Sequence, residues 1–310
     1  MAIMEGRKSY ATFFAEATWG TRPATPVYYQ IPVETYGVLM NRDVRNGDPF
    51  IGILDRKHNK AFRGFPAGQI VTRAYGFLPN SNTDSILKYL TNWAISEPTT
   101  IEKLSKGIDW AEGPDVSNKT HLGLRVNNYT LEGSTDSGTV NITLDVMGKT
   151  EAALVTAQTL PTDREGCIEP EFSDCTVALG GSAVSVASFK YSVANNLTPT
   201  YLNGTSPSYL AAGQLVETFE IEIIKTADTY SAYQRAFTEQ EMTGQLVVKA
   251  PHNGTGGSGT LTVLTIDFGR LAFLNPGDSA QKGLLRQRLS FAVLKPDSST
   301  ASKVLTYSEA

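Results

Sequence analysis

The chain has 310 residues, enough for one large domain or two modest ones whose cores need neither disulfides nor metals. Its 27 basic and 31 acidic side chains leave a net charge of −4, which excludes the basic domain of a dedicated nucleic-acid binder. A content of 41% hydrophobic and 19% charged residues fits a folded chain; no apolar run approaches the ~20 residues of a membrane span, and two Cys with three His leave no zinc scaffold or disulfide framework.

The opening run, MAIMEGRKSYATFFAEA, sets Glu5 ahead of its basic pair and lacks the apolar stretch of a secretory signal, so an intracellular product is expected. A first unit is read over 33–150. Within it, Arg45 to Pro66 joins two strands by an excursion longer than the ~12–15 residues usual in a compact domain. Phe50, Ile51, Ile53, Leu54, Phe62 and Phe65 make it too apolar for free disorder, and it reads as an arm lying on a neighbour in preference to the chain's own body. TDSILKYLTNW, capped at Thr83 or Asp84, places Ile86, Leu87, Leu90 and Trp93 on one helix face. Gly133 to Gly138 is a turn cluster. In the strand after it, Val140, Ile142, Leu144 and Val146 alternate with Asn141, Thr143 and Asp145, which gives one dry face and one wet.

Residues 151–175 hold one basic residue, Arg164, and six acidic ones; with Pro161 and Pro170 they read as a solvated acidic linker between two near-neutral bodies. A second unit is read over 176–296, followed by a C-terminal tail, 297–310. Asn195 to Leu210, with Tyr201 and Tyr209, stands where the first unit has its arm. Phe219, Ile221 and Ile223 alternate with Glu220 and Glu222. ADTYSAYQRAFTEQEM repeats the helix, with Asp228 as its cap. HNGTGGSGT, His252 to Thr260, lies between two strand runs and lacks the ending of a phosphate loop, so it reads as a hairpin. Asn275 to Asp278 is a further turn cluster. Leu285, Gln287, Leu289, Phe291 and Val293 then share one strand face, with Arg286, Arg288 and Ser290 on the other.

The halves echo one another. AGQIVTR, Ala67 to Arg73, returns as AGQLVET, Ala212 to Thr218; Asp84, Tyr89 and Trp93 return as Asp228, Tyr233 and Phe237. NITLDVMGK ending at Lys149 returns as RLSFAVLK ending at Lys295. Strand, long loop, AGQ strand, helix and hairpin follow in the same order twice, so we read a duplication. The expected fold is mainly β: two tandem antiparallel β-sandwich or barrel units, each with one short α-helix and a long inter-strand loop.

Chemistry is scarce. His58, His121 and His252 fall in predicted loops or loop edges without metal-ligand spacing, and there is no GxSxG elbow. Glu220 and Glu222 share one solvated strand face, where a glycosidase would draw its carboxylates from separate elements. Cys167 and Cys175, eight apart, could close a small loop, but in a cytosolic product they read as free thiols. No catalytic residue, metal or cofactor is expected.

The run FFAEATWGTRPATPVYYQIPVETYGV resembles the opening of the major tail proteins, or tail tube proteins, of long-tailed bacteriophages. An acidic residue precedes Thr-x-Gly-Thr-x-Pro, here Glu16, Thr18, Gly20, Thr21 and Pro23, and an extended segment ends at Ile31, Pro32 and Val33. RVNNYTLEGSTDSGTVNITLDVMGK resembles that family's hairpin. The likeness covers most of 10–150 and, through the duplication, 176–296.

The resemblance implies tail-tube-type β units whose rings stack into a hollow tube of the virion tail. The tube is assembled in the host bacterial cytoplasm, and genomic DNA leaves through it without sequence-specific binding. It also implies that residues 1–32 form an extended N-terminal arm, with Phe14, Glu16, Trp19 and Pro23 as contact candidates, and that arm and long loop reach between rings. Tape measure, tail terminator and distal tail proteins would meet the tube ends. Single-unit members build six-fold rings, so a duplicated chain implies a trimer with pseudo-six-fold symmetry; without the duplication, six full chains per ring is the alternative. A lumen wall should not hold phosphates, and Asn141, Thr143, Asp145, Glu220 and Glu222 are its candidates. The other reading is a β-sandwich binding module for carbohydrate or receptor at a virion or cell surface, with Tyr201, Tyr209 and Trp110 as its platform.

Overall fold

The computed structural model describes residues 10–47, 58–76, 85–95, 105–110, 119–153, 168–224, 234, 241–253, 259–281, 284–295 and 303–309. Strands dominate. β1 (Tyr10–Ala15), β2 (Tyr28–Pro32), β3 (Thr35–Tyr36), β4 (Leu39–Gly47) and β5 (His58–Arg73) precede the helix α1 (Ile86–Ile95). Next come β6 (Lys106–Trp110), β7 (Lys119–Ser134), β8 (Val140–Met147) and β9 (Thr150–Ala153). After a 3-10 turn at Phe172–Asp174 follow β10 (Thr176–Leu179), β11 (Ser182–Val184), β12 (Val186–Ala194), β13 (Thr198–Thr200) and β14 (Tyr209–Ala211). The chain then forms β15 (Val216–Ile224), β16 (Glu241–Asn253), β17 (Gly259–Gln281), β18 (Leu284–Val293) and β19 (Lys303–Glu309).

All described pairings are antiparallel. In the first half the order is β2–β1–β6–β7–β8–β5–β4, with β9 on the early part of β7. In the second half it is β11–β10–β16–β17–β18–β15–β12, with β19 on the early part of β17. Two irregularities of each half coincide as well. Bulges fall between Lys106 and Ile108 of β6 and between Met242 and Gly244 of β16. They fall again between Val126 and Asn128 of β7 and between Phe273 and Asn275 of β17. A bulged strand bends, and so it can serve two layers. β7 pairs early with β6 and β9 and late with β8, and β17 behaves likewise with β16, β19 and β18.

The late part of β7 also pairs with β12, from Asn128↔Ala194 to Ser134↔Ser188. One eight-stranded sheet, β4–β5–β8–β7–β12–β15–β18–β17, therefore crosses both halves. Tyr129, Tyr191, Phe189, Phe219, Phe268 and Phe291 are fully buried in the core against it. α1 buries Ile86, Leu87, Leu90 and Trp93, the face read from the sequence. Its cap is Ser85, whose Oγ accepts the Lys88 N–H at 3.0 Å; Thr83 and Asp84 lie outside the described residues. The second expected helix also lies outside them, except for helical Gln234.

Several local readings change. Asn275 to Asp278 lies inside β17, where turn composition yields to pairing with β18. The three histidines lie in strands, His58 in β5, His121 in β7 and His252 in β16. The ends of the acidic segment are tied down: Glu151 belongs to β9, Glu169 pairs with Arg73, and buried Phe172 stacks on Phe189 at 5.9 Å. Cys167 lies outside the described residues; the half-buried Cys175 thiol is free, its pKa pushed up to about 12 by burial. Ala67 to Gln69 sit within β5, whereas Ala212 to Gln214 precede β15.

Candidate functional site: a polar sheet face and its flanking arms

Side chains alternate across the eight-stranded sheet. Ile70, Leu144, Leu131, Tyr191, Ile221 and Leu289 turn to the core. Asn141, Thr143 and Asp145 on β8 turn to the other face, as do Glu220 and Glu222 on β15. The residues selected for a wet face thus share one surface although they come from different halves.

This surface is ion-paired. Arg288 contacts the Glu220 carboxylate, and Ser290 Oγ donates to Glu220 at 3.3 Å. Arg286 lies 3.4 Å from Glu222 and 3.4 Å from Asp136, and Lys190 lies 3.9 Å from Glu132. Arg73 reaches Glu34 at 2.6 Å and also Glu169. Asp145 accepts from the side-chain amides of Gln69 at 3.3 Å and Asn128 at 3.1 Å. Exposed pairs of this kind add little stability. Their effect is to interleave the cations Arg73, Lys190, Arg286 and Arg288 with a larger number of carboxylates, so the face is polar and mixed in sign with carboxylates in excess. The sequence held the signal: Arg286 and Arg288 alternate as Glu220 and Glu222 do, but only the β15–β18 register brings them together.

Beside the sheet lie two excursions. The first is an antiparallel extension of β4 and β5, paired from Leu39↔Ala67 out to Gly47↔His58, so most of its backbone is satisfied internally. Phe50, Ile51, Ile53 and Leu54 fall beyond it, outside the described residues. Phe62 is the extra residue of a bulge, and Phe65 is half-buried. The second excursion folds back on its own chain as the β13–β14 ribbon. Leu197 and Leu210 cluster with Trp19, and Arg125 Nη1 donates to Leu210 O at 2.9 Å. Its tip meets the root of the first excursion: Gly64 N donates to Thr205 O at 2.9 Å, and the Arg63 guanidinium lies 4.8 Å over the Tyr201 ring. Tyr209 is exposed, whereas Trp110 stacks on Tyr36 at 4.3 Å.

The family described as phage tail tube protein matches residues 6–293 of the sequence. The chain belongs to that family. No curated protein matches it. As a tail tube protein it has a structural role in the virion tail, and the family implies stacked self-association and contact with other tail proteins.

The opening motif of this tail tube protein is built into its body. Phe14 is fully buried in β1, with the Arg22 guanidinium 5.2 Å over its ring, and Pro23 is half-buried. Thr21 N donates to Thr18 O at 3.0 Å around Gly20, whose φ of +68° suits the third position of a type II turn. Buried Glu16 anchors that turn, accepting from Gly20 N, Gly123 N and Ser105 Oγ at 2.8 Å each. Burial raises its pKa above the usual carboxylate value, against the pull of those donors and Lys149. Trp19 Nε1 donates to Gly123 O at 2.9 Å, and the Lys149 ammonium sits 4.9 Å over the indole. The sequence pointed to these residues; it did not reveal that their partners lie on β7 and before β6.

Proposed function

We propose that three copies of this chain close into a ring with pseudo-six-fold symmetry, and that rings stack into the hollow conduit through which DNA is ejected. The observation that carries this reading is the strand-for-strand recurrence of pairing order and bulges in the two halves, which makes each chain two similar wedges. Three eight-stranded sheets joined edge to edge give a 24-stranded barrel, roughly 45–50 Å across between backbones at a strand spacing of ~4.8 Å and a tilt of ~40°. The polar face lines the bore, with Asn141, Thr143, Asp145, Glu220 and Glu222 on its wall. Its paired charges offer no phosphate a lasting site, so the duplex slides.

The N-terminal segment, 1–32, and the excursion rooted in β4 and β5 supply contacts between rings, and tape measure, terminator and distal tail proteins meet the tube ends. Assembly takes place in the host bacterial cytoplasm. Negative-stain microscopy of the concentrated protein tests the reading, with hollow tubes or rings expected. A chain that stays monomeric at high concentration and is retained on a polysaccharide column would overturn it in favour of a surface binding module.

A further inference from the structure

The junction between the halves uses one strand edge from each, and the chain carries a second copy of both that is unpaired among the described residues. The late part of β7, Asn128 to Ser134, has β8 on one side and β12 on the other. Its counterpart on β17, Asn275 to Gln281, has β18 on one side and, among the described residues, no strand on the other. β12 lies between β15 and β7. Its counterpart, Thr35 to Asn41 across β3 and β4, has β5 on one side and no described strand on the other.

We infer that these two open edges pair with each other between copies of the chain, in the register of the internal junction. This rests on the ring reading above and names the surface that closes the ring. The counterparts are fixed by the ladders. The row Tyr36–Ile70–Leu144–Tyr129 of the first half corresponds to Phe189–Ile221–Leu289–Pro276 of the second, each row meeting the bulge of its long strand at the same distance. Internally, Val193 faces Tyr129 and Ser192 faces Thr130. Between copies, Met40 therefore faces Pro276, and Leu39 faces Gly277.

The edge chemistry agrees. Gly37 N donates inward to Gln69 O at 2.8 Å, so antiparallel alternation turns the N–H and C=O groups of Tyr36, Val38 and Met40 to the open side. Pro276 is tolerated beside β18 only with its nitrogen outward, on the open edge. It costs the intermolecular ladder one hydrogen bond relative to the internal one and makes the edge a poor template for other strands. Two large apolar side chains flank these edges, Leu39 at 63% exposure and Leu274 at 57%. The contact is head-to-tail, and such a contact either closes a ring or runs on as a filament.

Paired cysteines test the register. Leu39 and Gly277 would form a non-hydrogen-bonded pair with Cα atoms about 4.5 Å apart, within disulfide reach, whereas positions 39 and 275 would lie on a diagonal of about 7–8 Å. Assembled Leu39→Cys/Gly277→Cys protein, oxidised and analysed by non-reducing electrophoresis and peptide mass mapping, should give covalent trimers linked between positions 39 and 277. The Leu39→Cys/Asn275→Cys variant should link at least about tenfold less. Asp278→Pro removes a second donor from the open edge alone. It should leave the monomer's melting temperature unchanged and abolish rings where the wild type forms them. Rings without the 39–277 link, or unimpaired assembly of Asp278→Pro, would overturn the register while the tube reading stood. Absence of rings from the wild type as well would overturn both.

Discussion

Gly123 shows how one backbone position holds the opening motif in place. Its φ is +72°, and a Cβ there would lie 2.7 Å from Trp19 Nε1. Gly123→Ala therefore combines strain with displacement of the indole, and a loss of about 1–3 kcal/mol in denaturant unfolding is expected. His121 is fully buried. Its Nδ1 accepts from Tyr36 OH at 2.6 Å and its Nε2–H donates to Glu151 at 3.1 Å, the pattern of a neutral ring. Burial lowers its pKa below the usual histidine value, with Glu151 opposing and Lys119 adding a little. Below pH ~6.5 the unfolded chain takes up a proton that the native ring resists, so stability falls as pH drops from the unfolded value through the native one. Unfolding midpoints measured between about pH 7 and 5 should fall, and His121→Gln should flatten that part of the profile. Neither role was legible in the sequence, because a lone histidine or glycine names no partner.

At the scale of elements, periodicity was a good guide where one face is buried. The buried face of α1 and the alternation in β8, β15 and β18 follow directly from it. It failed where composition imitates a turn, at Pro276, and where an apolar excursion hides a ladder, at β4 and β5. Deleting 48–57 and joining Gly47 to His58 by a short turn should leave the fold intact and stop tube growth, read by thermal melting and microscopy. Unimpaired tubes would show that this tip is not a stacking element. β19, read as a tail, is held by a buried ion pair of Lys303 with Glu217, which also accepts from Tyr191 OH at 3.3 Å. Lys303→Met leaves a buried carboxylate unpaired and should cost about 3–5 kcal/mol, largely recovered by adding Glu217→Leu. A loss that persists in the double variant would contradict that account.

For the molecule as a whole, the sequence echo of the AGQ strings aligns the halves only loosely, since one string lies in β5 and the other ahead of β15. The shared bulges at Asn127 and Leu274 give the finer correspondence, and no local pattern foretells them. The β7–β12 junction was equally illegible, because strand periodicity specifies a face and not a partner. Charge counting gave totals and not placement: the face that forms interleaves cations with an excess of carboxylates, which only the strand registers bring together. The most direct test of the account is cryo-electron microscopy of assembled tubes, counting chains per ring and locating the polar face. Three chains per ring, six similar lobes and Asn141, Asp145, Glu220 and Arg288 on the bore are expected. Six chains per ring, or a bore lined by a different surface, would contradict it.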